Sequence, residues 1–149
     1  MTRCRSAAAA AILLLAACQS EPSAPVPAGN VPSGDSHPYD GITEEETLRV
    51  LGNEPFWGGQ VTGSSLTYTT PENQGGEVLQ VERFAGRGGI SFSGELGGEE
   101  FTMTVTPLSC SDGMSDRTYP FTVTLMIGED TRNGCGWTER QPFEGPANP

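Results

Sequence analysis

Two segments with a strict alternation of apolar and polar residues constrain the fold more than any other feature. Residues 101–106 read Phe-Thr-Met-Thr-Val-Thr, and residues 121–127 read Phe-Thr-Val-Thr-Leu-Met-Ile. Successive side chains of a β-strand point to opposite faces, so this period predicts strands with one buried face and one threonine-rich face. Shorter alternating segments are separated by glycine-containing turns; they lie at residues 66–69, 78–81 and 90–93. The pattern predicts an all-β fold, a small antiparallel meander that closes into a barrel or a sandwich.

The start of this domain is open to two interpretations. Thr43 and Glu46 have the spacing of a capping box, which predicts a helix that Gly52 would end. Residues 48–51, Leu-Arg-Val-Leu, could equally enter the first strand. We expect a short helical turn followed by a strand.

The first residues have the layout of an export signal. Arg3 and Arg5 precede an apolar run at residues 7–15, which is too short to span a membrane. The Leu-Ala-Ala-Cys that ends at Cys18 resembles the lipobox of bacterial lipoproteins, which implies that Cys18 is lipidated and becomes the first mature residue. Gln19 then implies sorting to the outer membrane. The alternative is an ordinary signal that is cleaved before an incidental cysteine.

Composition divides the chain into four parts. Residues 1–17 are the predicted lipoprotein signal peptide. Residues 18–41 are rich in Pro, Ser, Gly and Ala, which predicts a lipidated, disordered tether. Residues 42–143 are the predicted single β domain, and residues 144–149 a flexible tail. We therefore expect a location in the cell envelope, anchored by lipid to the outer membrane and facing the periplasm.

The chain is acidic, with a formal net charge of −11, and contains no lysine. Phosphate binding requires clustered cations, so this composition argues against nucleic acid as a partner. It argues equally against electrostatic attachment to anionic lipid. The predicted contact with the membrane is therefore the lipid anchor.

The chain has four cysteines, of which two remain for the mature domain. Cys4 leaves with the signal and Cys18 is the predicted lipid site, so Cys110 and Cys135 are expected to form a disulfide in an oxidising compartment. A metal or redox pair is the alternative, but no Cys-x-x-Cys spacing occurs and the single histidine, His37, lies in the tether. We predict no metal and no cofactor.

Two motifs interrupt the strand pattern. The first, Asn-Glu-Pro-Phe-Trp at residues 53–57, would place its two aromatic side chains on opposite faces of a following strand. Either one aromatic fills the barrel while Asn53 caps a turn, or the outward aromatic and Glu54 line a ligand groove.

The second motif, Cys-Ser-Asp-Gly-Met-Ser-Asp-Arg at residues 110–117, forms either a loop that satisfies its own polar groups or part of a binding face. Its aspartate spacing is not that of a calcium loop. The candidate binding residues are Asn53, Glu54, Phe56, Trp57, Asp112, Ser115, Asp116 and Arg117.

Together with Gly-Cys-Gly at residues 134–136, these motifs resemble a family of uncharacterised bacterial envelope lipoproteins that carries N-E-P-F-W and C-S-D-G-M-S-D-R. The resemblance implies a location in the bacterial cell envelope, and it does not assign an activity. The chain is also broadly similar to META domains and to inhibitors of c-type lysozyme, although the inhibitors' motifs do not match residue by residue.

The predicted domain contains no histidine, lysine or unpaired cysteine, which excludes Ser-His-Asp and Cys-His catalysis there. The carboxylates Glu54, Asp112 and Asp116 leave a carboxylate-based hydrolase as an alternative. We expect a non-catalytic binding or structural module, whose partner is an envelope protein, a cell-wall fragment or a small ligand. A second hypothesis is an inhibitor of a lytic enzyme such as lysozyme, docked by charge complementarity.

Overall fold

The structure, a computed structural model, describes residues 37–146, and all regular elements in this part are β-strands. The strands are β1 (Leu48–Asn53), β2 (Phe56–Thr62), β3 (Ser65–Thr69), β4 (Glu77–Gly86), β5 (Gly89–Leu96), β6 (Glu99–Thr106), β7 (Cys110–Ser111), β8 (Thr118–Tyr119), β9 (Phe121–Ile127) and β10 (Asp130–Trp137). No helix in the described part is long and apolar enough to cross a membrane.

Eight of these strands form one closed barrel in the order β1-β10-β9-β6-β5-β4-β3-β2, and every neighbouring pair is antiparallel. Most neighbours are also consecutive in sequence, as in the predicted meander. The expected all-β fold is confirmed, and of the two predicted closures the barrel is correct. Closure depends on the pairing of β1 with β10, which joins the first and last strands of the chain.

The barrel interior is filled by the apolar half of each alternating strand. Across β6 and β9, Phe101 lies opposite Ile127, and Val105 lies opposite Val123; all four side chains are buried. The intervening threonines point outward. Burial of this face is the main favourable contribution to folding, at roughly 25 cal/mol per Å² of apolar surface.

The predicted helical turn is wrong, because residues 43–46 form a single hydrogen-bonded turn and no helix. The Glu46 amide donates to the Thr43 carbonyl at 3.3 Å, and the Thr43 amide donates to Glu46 Oε2 at 3.4 Å. One of the two hydrogen bonds of the predicted capping box is therefore present, from the Thr43 amide to the Glu46 carboxylate, but β1 begins at Leu48. Leu48 and Val50 point into the barrel, and their burial favours an extended backbone over local helix propensity.

The connection from β6 to β9, residues 107–120, crosses the outer surface of the barrel and is called the strap below. It contains the two-stranded sheet of β7 and β8. The predicted disulfide is confirmed: Cys110 of the strap is bonded to Cys135 of β10, and their Cα atoms are 5.6 Å apart.

Candidate functional site

The disulfide holds the strap against the outside of the barrel. Cys135 lies opposite Leu51 on β1 and opposite Thr122 on β9. It points outward, since its neighbour Gly136 lies opposite the buried pair Val50 and Phe121. Cys135 is nevertheless buried, because the strap covers it.

A small second core lies beneath the other end of the strap. Tyr119 contacts Trp137 of β10 and Phe143 of the C-terminal segment, with ring centroids 5.5 Å apart in each pair. The guanidinium of Arg117 lies 4.4 Å from the centre of the Phe143 ring, and its Nε donates to the Pro146 carbonyl. These contacts and the disulfide fix the strap at both ends.

Asp112 organises the middle of the strap. Its Oδ1 accepts hydrogen bonds from the amides of Met114 at 3.0 Å and Ser115 at 2.8 Å. Its Oδ2 accepts from Ser115 Oγ at 2.6 Å and from Tyr119 Oη at 3.2 Å. Both carboxylate oxygens are therefore fully engaged in holding the loop.

These contacts determine the charge of Asp112. Burial raises the pKa of this carboxyl, but the hydrogen bonds from Ser115, Met114 and Tyr119 stabilise the carboxylate more strongly and lower the pKa to about 2. Asp112 is therefore an anion at neutral pH and does not act as a proton donor there. It contributes a fixed negative charge to the strap.

The first motif forms the turn between β1 and β2, and it separates its two aromatic residues. Phe56 points outward and is 53% exposed, whereas Trp57 points into the barrel and is 5% exposed. The indole of Trp57 stacks against Tyr68, with ring centroids 6.3 Å apart. Its Nε1 is buried without a hydrogen-bond partner in the described structure.

Two glycines make room for this indole. A Cβ atom on Gly52 would lie 2.0 Å from Trp57 Nε1 and 2.6 Å from the Asn133 carbonyl oxygen. A Cβ atom on Gly134 would lie 2.2 Å from the Leu51 carbonyl oxygen and 2.8 Å from the indole. Gly52, directly before the first motif, and Gly134, in the Gly-Cys-Gly of β10, are therefore both required for the packing of a single tryptophan.

The two motifs meet on the outer surface, where the Nδ2 of Asn53 donates a hydrogen bond to the main-chain carbonyl of Asp112. Between the β1–β2 turn and the strap lies an open groove of about 800 Å³, called the strap groove below. Asn53, Glu54 and Phe56 line one side. The other side is formed by strap residues that include Asp112 and Met114, and the floor by β10.

The strap groove combines exposed apolar groups with negative charge. Phe56 and Met114 are 53% and 69% exposed, although both are large and apolar. Glu54 is exposed and makes no ion pair within residues 37–146, and no lysine or arginine lines this groove. Large apolar side chains that stay exposed around a concave surface are typical of binding sites.

The eight residues predicted to bind a partner are thus divided by the structure. Asn53, Glu54, Phe56 and Asp112 line the strap groove. Trp57 supports the groove from inside the barrel, and Ser115 holds Asp112 in place. Asp116 is exposed elsewhere on the strap and lies, with Arg117, outside the groove lining.

Four further residues line the groove that the sequence analysis did not single out. They are Met114 of the strap, Asn133 of β10, and the outward-pointing Leu51 of β1 and Thr122 of β9. Met114 lies inside the second motif and could have been chosen as an apolar residue in a polar loop. The others have no local signal, because they reach the groove only through strand pairing.

Within residues 37–146, no group of three or more His, Cys, Asp or Glu side chains is arranged to bind a metal ion. Cys18 lies outside the described residues.

Comparison with models of protein families, with curated proteins and with solved structures found no match to this chain. The family resemblance of the two motifs therefore stays a prediction.

Proposed function

We propose that this protein is a non-catalytic binding module of the cell envelope, anchored by lipid at Cys18, and that the strap groove is its binding face. The meeting of the two motifs carries this proposal. They are far apart in sequence, yet Asn53 joins them directly through Asp112. Phe56 and Met114 stay exposed on either side.

A binding role fits this groove better than a hydrolytic one. A carboxylate-based hydrolase needs a pair of groups that can donate and accept protons. Asp112 accepts four hydrogen bonds and has a pKa of about 2, so its carboxylate is committed to the loop. Glu54 is then the remaining carboxylate that lines the groove.

The envelope location rests on the predicted lipobox and on the cysteine pair. The Cys110–Cys135 disulfide is of the kind that persists outside the reducing cytosol. Mass spectrometry of the protein from its native host should find acyl chains on Cys18. An unacylated Cys18 would contradict the anchor and leave the groove proposal standing.

Site-specific crosslinking in intact cells tests the groove. A photoreactive phenylalanine analogue at position 56 should form a covalent adduct with a partner. The same analogue at position 84 is the matched control, because Phe84 is also exposed, at 69%, and β4 lies across the barrel from the β1–β10 pair. Adducts absent at position 56, or equal at both positions, would reject the strap groove as the binding face.

Inhibition of a lytic enzyme is a second candidate. The net charge of −11 and the groove without lysine or arginine favour docking on a basic enzyme. Lysozyme should lose activity when the purified protein is added, and should recover with Glu54→Gln. Unchanged lysis at high protein concentration would exclude this candidate for that enzyme.

A further inference from the structure

The floor of the strap groove lies where the ladder between β1 and β10 ends, at Leu51 opposite Cys135. Beyond this pair the two main chains stay in contact, because a Cβ atom on Gly52 would lie 2.6 Å from the Asn133 carbonyl oxygen. The floor is therefore closed, and a ligand in the groove meets the side chains that line its two sides.

The charges around the groove select the kind of group that it binds. Glu54 and Asp112 place two carboxylates in the lining, which contains no lysine or arginine. The nearby Arg132 lines an adjoining surface pocket and is already paired with Asp130 at 2.7 Å. The electrostatic complement of this lining is a cation.

Phe56 adds a second preference for a cation. Its exposed ring lines the same groove as the carboxylate of Glu54. An arginine or lysine side chain combines an apolar stem with a charged end, so it can contact an aromatic ring and a carboxylate together. A volume of about 800 Å³ accommodates such a side chain with the backbone that carries it.

We propose that the strap groove binds an extended, positively charged polypeptide segment of a partner protein. The segment places an arginine or lysine side chain against Glu54 and Phe56. This inference rests on the proposed function and specifies the chemistry of its ligand.

Binding of synthetic peptides to the full chain, purified in a non-ionic detergent, tests the inference. The probe is a short fluorescent peptide that alternates arginine with valine; two peptides of equal length carry glutamine or glutamate in place of arginine. The arginine peptide should bind at least about tenfold more tightly than the glutamine peptide, and the glutamate peptide should bind more weakly still.

A double variant and its matched control locate the binding. Glu54→Gln with Phe56→Ala should weaken arginine-peptide binding at least about tenfold. Glu82→Gln with Phe84→Ala makes the same chemical change at the same spacing on β4, and should change affinity by less than about twofold. All four residues are exposed, so both variants should fold, which circular dichroism checks.

Amide hydrogen exchange locates the contact. The arginine peptide should slow exchange at residues 53–56 and 111–114, which line the strap groove, and leave β4 unchanged. Slower exchange spread evenly over the acidic surface would overturn binding in the groove.

The outcomes separate the inference from the proposed function. No peptide binding, a preference for the glutamine peptide, or equal losses in both double variants would overturn the inference. If crosslinks still form at position 56 in cells, the groove remains the binding face for another kind of ligand. If those crosslinks are absent, the proposed function itself fails.

Discussion

The side-chain amide of Asn53 donates a hydrogen bond to the main-chain carbonyl of Asp112, and this contact joins the β1–β2 turn to the strap. Asn53 follows the last strand pair between β1 and β10, whereas Asp112 lies in a loop on the outer surface. The hydrogen bond therefore holds the two sides of the strap groove together, while the disulfide fixes the strap on β10.

Replacing this asparagine should loosen the groove. We expect Asn53→Ala to lower the free energy of unfolding by about 1 kcal/mol, since one partly buried hydrogen bond is lost. Denaturant unfolding measures the change, and hydrogen exchange should become faster at residues 110–115. The matched control is Asn133→Ala, because Asn133 is exposed and lines the same groove. Equal effects of the two substitutions would contradict a special role for Asn53.

The carboxylate of Asp112 should make stability depend on pH. Its pKa is lowered from 3.8 to about 2 in the folded protein, so the stabilisation is complete above about pH 4 and is lost as the pH falls towards 2. At neutral pH, Asp112→Asn should cost about 1–3 kcal/mol, because an amide nitrogen cannot accept the bonds from Ser115 and Tyr119.

Unfolding of the wild type and Asp112→Asn, compared from pH 7 to pH 2, tests this dependence. The difference between their unfolding free energies should shrink as the pH falls. The exposed Asp116, changed to Asn, serves as the control. A difference that stays constant with pH would show that the carboxylate charge is not what stabilises the strap.

A methyl group at Gly52 should disrupt the barrel. Its Cβ atom would lie 2.0 Å from Trp57 Nε1 and 2.6 Å from a main-chain oxygen, so either the indole or the strand must move. We expect Gly52→Ala to destabilise the protein by about 3 kcal/mol or more. At Gly88 a Cβ atom would meet nothing within 4 Å, so Gly88→Ala should be tolerated. Thermal unfolding and tryptophan fluorescence compare the two.

Removing the disulfide should weaken the strap more than the barrel. Cys110→Ala with Cys135→Ala opens a loop with a sequence separation of 25 residues. The chain-entropy model assigns such a loop roughly 3 kcal/mol. We expect a lower denaturation midpoint, and faster hydrogen exchange at residues 107–120 than in β5 and β6. Uniform loss of protection across all strands would show that strap and barrel unfold as one unit.

The sequence predicted those parts of the structure whose signal lies in neighbouring residues. The alternation of apolar and polar residues in β6 and β9 predicts which side chains point inward. This prediction needs only the geometry of an extended chain, in which successive side chains point to opposite faces. Likewise, Cys110 and Cys135 were identified as partners by counting the cysteines left for the mature chain. The capping contact between Thr43 and Glu46 was also read correctly, but burial of Leu48 decided against a helix.

The amino-acid sequence by itself determined the alternating strands β3, β4, β5, β6 and β9 and the disulfide partners, because each follows from neighbours along the chain or from composition. Only the tertiary structure decided that β1 closes onto β10, that Trp57 faces inward and Phe56 outward, and that Asn53 meets Asp112. These depend on contacts between residues far apart in sequence. For two adjacent aromatic residues the alternation of a strand indicates only that they face opposite sides, and packing in the closed barrel determines which of them is buried.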